Sequence, residues 1–406
     1  MLPRLLRVLP ELLILTAGLL SQAVGTLWLL RRLKSKPYFQ NQLRVVLLTV
    51  SSLGALLLIV GFFGRLPRFF STFPAWWMNW GSAAVIIWSM LLLAWIAGHT
   101  SVAIIGSLWR QNMISDGGSS RRRFLGTLGS LAWMAPPVAV GYGVFIEREA
   151  IRVREQDIVV KDLPKDLDGL RLAQITDIHI GPFFDALHVA RAVAMANELR
   201  PQITLITGDL LTRIGDPLDA CIAKLAKLRA EAGVFGCMGN HEIYAESQDY
   251  TEAEAARHGM QFLRKRAVPL QFGRSVLNLG GVDYQNIRVP YLRGTESLVV
   301  PGAFNVLLSH NPDVFPVAAS QGWDLTVSGH THGGQVRVEI LQADLNIARF
   351  YTPFTDGHYQ LGSRSIFVSR GLGTIGVPAR LGAPPEVALL RLRRASANAV
   401  EGRKIV

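Results

Sequence analysis

Four uncharged apolar stretches, 12–30, 45–63, 83–105 and 124–145, occupy the first third of the chain. Each is about 20 residues long, the length a helix needs to cross a hydrocarbon core, so the pattern predicts an all-α bundle of four transmembrane helices. Phe69, Phe70, Phe73, Trp76, Trp77 and Trp80 cluster between the second and third stretches, where ring systems suit a membrane interface. Pro136 and Pro137 predict a kink in the fourth helix. From about residue 147 the pattern changes. Short apolar runs at 170–175, 203–207, 233–238, 305–309, 325–328 and 365–369 read as strands, and helical periodicity at 186–198 and 217–230 separates the first three. Strands alternating with helices predict an α/β domain. The expected organisation is a membrane domain over 1–146, a linker with a first strand over 147–168, an α/β domain over 169–395 and a tail over 396–406.

Charge refines this picture. The chain carries 42 basic and 30 acidic residues, but residues 1–123 hold 13 of the basic ones against only Glu11 and Asp116, which leaves 29 and 28 for the remainder. The basicity therefore belongs to the apolar part, where it reads as membrane topology and argues against a nucleic-acid partner. Segment 31–44 has five basic residues and 110–123 has four, against two in 64–82. Positive-inside reasoning puts the two richer loops in the cytoplasm and the α/β domain on the outer, periplasmic or extracytoplasmic face of a multi-pass inner-membrane protein. Ser120-Arg121-Arg122-Arg123-Phe124-Leu125 resembles a twin-arginine export motif and agrees with that orientation. The two cysteines, Cys221 and Cys237, exclude a disulfide scaffold and a thiolate metal cluster; their apolar surroundings read as buried thiols.

Candidate chemistry gathers at the ends of the predicted strands, where α/β domains place ligand sites. The first ends in Thr176-Asp177-Ile178-His179 and the second in Thr207-Gly208-Asp209. The third runs into Gly239-Asn240-His241-Glu242, the fourth into Ser309-His310, and the fifth into Gly329-His330-Thr331-His332-Gly333-Gly334-Gln335. One aspartate after a strand is usually a cap or turn residue. Five strand ends in succession that all offer Asp, Asn or His change that reading. An oxygen and nitrogen donor set without thiolate suits one or two divalent ions such as manganese, iron or zinc.

These five blocks, in this order, resemble the calcineurin-like metallophosphoesterase superfamily. Gly329 to Gln335 and the late Ser369-Arg370-Gly371 and Pro384-Pro385-Glu386 are similar to its membrane-associated subfamily, typified by a Bacillus phosphoesterase exported by the twin-arginine route. The resemblance implies a β-sandwich core flanked by helices. It implies that Asp177, His179 and His332 bind a first metal, that Asn240, His310 and His330 bind a second, and that Asp209 bridges them. His241 then matches a histidine that stabilises the transition state or protonates the leaving oxygen, and Glu242 an orienting residue. Two cations about 3.5–4 Å apart lower the pKa of a water and clamp phosphoryl oxygens for in-line attack.

The function expected is metal-dependent hydrolysis of phosphate ester or pyrophosphate bonds, on a phosphorylated small molecule or on a lipid-linked or cell-envelope substrate. The resemblance also brings in a UDP-2,3-diacylglucosamine-type pyrophosphate hydrolase, which conflicts with the predicted orientation. A membrane sensor with a non-catalytic metal domain is the alternative of a different class; a complete ligand set with His241 in place argues against it.

Overall fold

The computed structural model describes residues 138–286, 291–340 and 343–395, with Ala135 and parts of 15–92. The chain divides into two units, Met1–Tyr142 and Gly143–Val406. In the first, the 26-residue helix α1 (Gln40–Arg65) packs through Leu58 against Leu92 and Trp88, and Thr26 Oγ1 meets Ser51 Oγ at 2.6 Å.

The four-span bundle is corrected here. Among the described residues no helix is long and apolar enough to cross a membrane. A span needs about 20 consecutive apolar helical residues. Most of 83–105 and 124–145 lies outside the described residues. The multi-pass inner-membrane location with an outward-facing domain falls with the bundle. The aromatic cluster at 69–80, the twin-arginine-like segment, Pro136, Pro137 and the tail at 396–406 also lie outside the described residues.

The second unit is an α/β sandwich of two six-stranded mixed sheets. The first follows the order β1 (Arg152–Val160), β14 (Glu386–Arg394), β2 (Arg171–Ile175), β3 (Ile203–Ile206), β4 (Val234–Gly236) and β5 (Met260–Phe262). The second follows β12 (Gly357–Leu361), β13 (Arg364–Val368), β9 (Leu325–Ser328), β8 (Phe304–Leu308), β7 (Ser275–Gly281) and β6 (Arg266–Phe272). A small hairpin, β10 (Arg337–Ile340) with β11 (Ala343–Asn346), stands apart. Strands β2, β3, β4 and β5 are parallel, as are β7, β8 and β9. Their C-terminal ends therefore share one edge of each sheet.

Period-two alternation sorts side chains between the layers. Leu172, Leu205, Phe235, Leu279, Val306, Leu308, Val327, Phe367 and Leu390 fill the space between the sheets. Ile175 and Ile206 face the other way, onto α2 (Ala186–Glu198) and α3 (Leu218–Leu225) through Val189, Val193, Cys221 and Ile222. Ile366 and Val368 cover the far side of the second sheet with Phe315 of α5 (Phe315–Gln321). Buried Gln174 ties the sheets together, its Nε2 donating to Thr207 Oγ1 at 2.7 Å and to Ser328 O at 2.9 Å.

Helix α2 has the expected bounds because Asp185 caps it, accepting from Leu187 N and His188 N. The helix expected over 217–230 stops at Leu225. Asn197 takes over the backbone beyond it, donating to Lys227 O at 2.9 Å and accepting from Arg229 N at 2.8 Å. Both cysteines are buried free thiols.

Phe367 is fully buried between the sheets. Phe367→Ala is expected to cost about 3–5 kcal/mol in urea unfolding of the chain; a loss below about 1 kcal/mol would contradict the sandwich packing.

Candidate metal centre

Three loops from the first sheet and two from the second converge at the shared edge. Asp177 and His179 follow β2, Asp209 follows β3, and Asn240 and His241 open the short helix α4 (Asn240–Tyr244) after β4. His310 follows β8, and His330 and His332 follow β9. Asp177, His179, Asp209, His330 and His332 all take left-handed backbone, with φ of 50°, 46°, 56°, 75° and 52°. Such conformations cost non-glycine residues roughly 1–3 kcal/mol each and persist where surroundings over-determine them. Here the loops must turn sharply off the strands so that neighbouring side chains face one point.

Two glycines make room for that turn. At Gly208, φ +88°, a Cβ would strike Gly239 and lie 3.0 Å from His310 Nδ1; at Gly329 it would strike Asp177 Oδ2 and Thr176 Oγ1. Backbone donors then hold the carboxylates. His330 N donates to Asp177 Oδ1 at 3.0 Å and Oδ2 at 3.1 Å, and His241 N donates to Asp209 Oδ1 at 2.9 Å.

The donor atoms fall into sets whose members lie within 4.8 Å of one another: Asp177, His179 and His332; Asp209, His310 and His330; and His179, Asp209 and His241. His179 Nε2 stands 3.1 Å from His332 Nε2 and 3.5 Å from Asp209 Oδ2. His310 Nε2 is 3.0 Å from Asp209 Oδ2 and 3.9 Å from Asp177 Oδ1, contacts with carboxylate that fall outside hydrogen-bond geometry. Asn240 Oδ1 is likewise buried without a partner. Buried polar atoms are nearly always bonded, so two buried atoms without a hydrogen bond, on residues of these same loops, fit cation coordination. The donor types fit as well. The structure thus brings all eight sequence-named residues to one place.

The metal-free electrostatics show the same demand for positive charge. Burial pushes the Asp177 carboxyl up to about 6, against the pull of His310. Burial also works against ionised Asp209, but the attraction of His310 and then His179 holds it well below the carboxylate range. His310 is held up at about 10, burial being outweighed by Asp209 and Asp177. Three of the other rings stay neutral: burial drives His179 down to about 3 and His330 to about 4, and drives His332 well down with help from His179 and Arg380. Neutral imidazole is the form that ligates.

Second contacts orient the rings. His310 Nδ1 donates to Thr207 O at 2.6 Å, and His241 Nδ1 donates to Thr212 O at 2.6 Å, which leaves Nε2 of each as the free nitrogen. His179 Nδ1 meets Thr212 Oγ1 at 3.1 Å. His241 is only partly buried, unlike His179, His310 and His332. Two residues that the strand-end pattern did not single out also belong to the centre. The Tyr284 ring lies 5.4 Å from His330, its hydroxyl pushed up to about 12 by burial. Arg380 is fully buried with Nη2 3.2 Å from His332 Nδ1. By contrast His188 caps α2 and meets Glu149 at 2.6 Å, His258 sits beside Glu254, and His99 lies outside the described residues.

Glu242 supports the Asp209 and Asn240 loops together. Its buried carboxylate accepts from Asp209 N at 3.0 Å, Leu210 N at 2.6 Å and Gly239 N at 2.7 Å; burial and then Asp209 nonetheless push its pKa upward. In Glu242→Gln the amide NH2 must face one of these donors. Unfolding of the metal-free variant in urea is expected to show a loss of about 1–3 kcal/mol; unchanged stability would mean the loops do not lean on Glu242.

The Calcineurin-like phosphoesterase family matches residues 170–334. A Bacillus subtilis protein named "Uncharacterized metallophosphoesterase YkuE" is 30% identical over 286 residues, covering 68% of this chain and 98% of that protein. The Escherichia coli "Phosphodiesterase YaeI" is 28% identical over 283 residues, covering 67% and 99%. The zebrafish "Transmembrane protein with metallophosphoesterase domain" is 29% identical over 285 residues, covering 65% of this chain and 62% of that one. With a full-length relative at that identity and the donor atoms assembled, the chain belongs to the calcineurin-like metallophosphoesterase family, and it is a hydrolase acting on phosphate ester bonds.

Proposed function

We propose that the chain hydrolyses phosphodiester or pyrophosphate bonds at a dinuclear centre, in which Asp177, His179 and His332 hold one divalent cation, Asn240, His310 and His330 hold another, and Asp209 reaches both. The observation that carries this reading is the pair of buried atoms without a hydrogen bond, Asn240 Oδ1 and His310 Nε2, together with the donor sets around Asp177 and Asp209. Two divalent cations there supply charge against the phosphoryl oxygens and lower the pKa of an attacking water. Asp209 limits the repulsion between them. His241, hydrogen-bonded through Nδ1 to Thr212 O and only partly buried, presents Nε2 to substrate; with a proton on that nitrogen as well, the ring gives it to the departing oxygen and returns to the neutral form.

The substrate proposed is a phosphate ester with an apolar portion, including lipid-linked and cell-envelope phosphates. Leu187, Ile214, Phe350 and Tyr351 are largely exposed. Ile214 lies two residues beyond Thr212, which contacts His179 and His241. Phe350 and Tyr351 follow Asn346, whose Nδ2 donates to Gly333 O beside His332 at 3.1 Å. Apolar side chains close to a polar centre favour a ligand with both characters.

Two variants test the roles separately. With manganese supplied, Asp209→Asn is expected to lower kcat on bis-p-nitrophenyl phosphate by more than the roughly 100-fold that loss of an outer partner brings, and to lower bound metal; wild-type turnover would sink the bridging role. His241→Ala is expected to keep its metal and to lose roughly 10²–10⁴-fold on alkyl phosphates but far less on p-nitrophenyl esters, whose leaving group needs no proton. Equal losses on both, or loss of metal, would make His241 a ligand instead.

A further inference from the structure

We infer that Arg380 is a positioning residue for one half of the centre, Asp177, His179 and His332, and not for the other; this rests on the dinuclear reading above. The residue lies beyond the stretch that the family match covers, and its side chain is 0% exposed. Burying a guanidinium is expensive unless its donors are all satisfied. Among the described residues its partners include no carboxylate. Nε donates to Gly373 O at 3.1 Å, and Nη1 donates to Arg370 O at 2.8 Å, His332 O at 3.1 Å and Ala383 O at 3.2 Å. Nη2 donates to Gly373 O and to His332 Nδ1.

These acceptors belong to two loops that meet at the first metal set. The 370–373 stretch rides on the backbone of the first ligand loop: Leu372 N donates to Thr176 O at 3.1 Å, and Gly373 N donates to Asp177 O at 2.7 Å. The other acceptor loop is that of His332 itself. One rigid fork therefore fixes the distance between the Asp177–His179 turn and His332, grips the His332 carbonyl, and meets the ring at Nδ1. Because a guanidinium only donates, that contact also fixes which ring nitrogen turns toward His179. Of the second set, His330 shares the loop of His332, but its own N–H holds it to Asp177; no partner of Arg380 lies on α4 or in the turn after β8, where Asn240 and His310 sit, held by Glu242 and by Thr207 O. A buried charge that served stability alone could be exchanged for an apolar side chain at little cost. Here the planar five-donor geometry matches the two loops to be joined, which a lysine cannot reproduce.

The test uses the full chain as wild type, Arg380→Met and Arg380→Lys, each stripped of metal and titrated with manganese. Electron paramagnetic resonance separates single from spin-coupled ions. In Arg380→Met one ion is expected to bind about 10–100-fold more weakly, with the coupled signal delayed accordingly, while the other binds as in wild type. Arg380→Lys, which keeps the charge but not the fork, is expected to show the same asymmetry in smaller degree, and it carries the test should the methionine variant not fold. Two ions bound as in wild type in both variants, or both weakened together in step with a fall in the unfolding midpoint, would overturn the inference. A wild-type chain that never shows a coupled pair would instead overturn the dinuclear reading on which it rests.

Discussion

Two carboxylates, Asp177 and Asp209, are buried side by side at the edge of the two sheets, 0% and 2% exposed, and nearly everything around them answers to the charge this creates. In the metal-free chain the compensation is incomplete: a proton on His310 stands between them, one carboxyl is pushed up while the other is held down, and three neighbouring imidazoles stay neutral. A site that keeps neutral nitrogen and unpartnered oxygen around such a pair is short of positive charge. Divalent cations bound there would supply it. That shortage links the fold to the chemistry, since hydrolysis of a phosphate ester also needs concentrated positive charge at the phosphoryl oxygens.

The sheets make the burial possible. Parallel strands deliver Asp177, Asp209 and Asn240 from one layer and His310, His330 and His332 from the other to the same edge, with Gln174 bonded across between them. The loops then pay in left-handed backbone at Asp177, His179, Asp209, His330 and His332, and the strain is held by supports with no chemistry of their own. Glu242 collects three backbone N–H groups, and Arg380 joins the loops of Asp177 and His332. Ser369, Arg370 and Glu386 form a further brace, Glu386 Oε1 accepting from Ser369 Oγ at 3.2 Å and from Arg370 N at 3.1 Å.

Much of the α/β unit was legible in the chain, because buried parallel strands write themselves as short apolar runs that stop at polar residues. Strand β9 and helix α2 have the bounds the pattern predicted. Strand β6 was not legible: it is a half-exposed edge strand with Pro269 inside it, tolerated only because an edge leaves that position free of a ladder bond. The eight site residues could be named because each follows a strand, yet Tyr284 and Arg380 could not. Tyr284 stands in an irregular stretch after β7, and Arg380 acts through carbonyl groups 3 to 48 residues away in sequence, which no periodicity records. The apolar runs of the first third misled in the opposite sense: hydropathy alone predicted four spans, whereas among the described residues no helix is long and apolar enough to cross a membrane.

The central claim is that charge-starved Asp177 and Asp209 are completed by a pair of cations that hydrolysis requires. The most direct measurement is metal content per chain, determined by plasma mass spectrometry after chelation and graded reloading with manganese, with hydrolysis of bis-p-nitrophenyl phosphate followed on the same samples. The account predicts saturation at about two ions per chain, with turnover rising as the second ion is taken up. Full turnover in the chelated chain, or in a chain that holds a single ion, would contradict it.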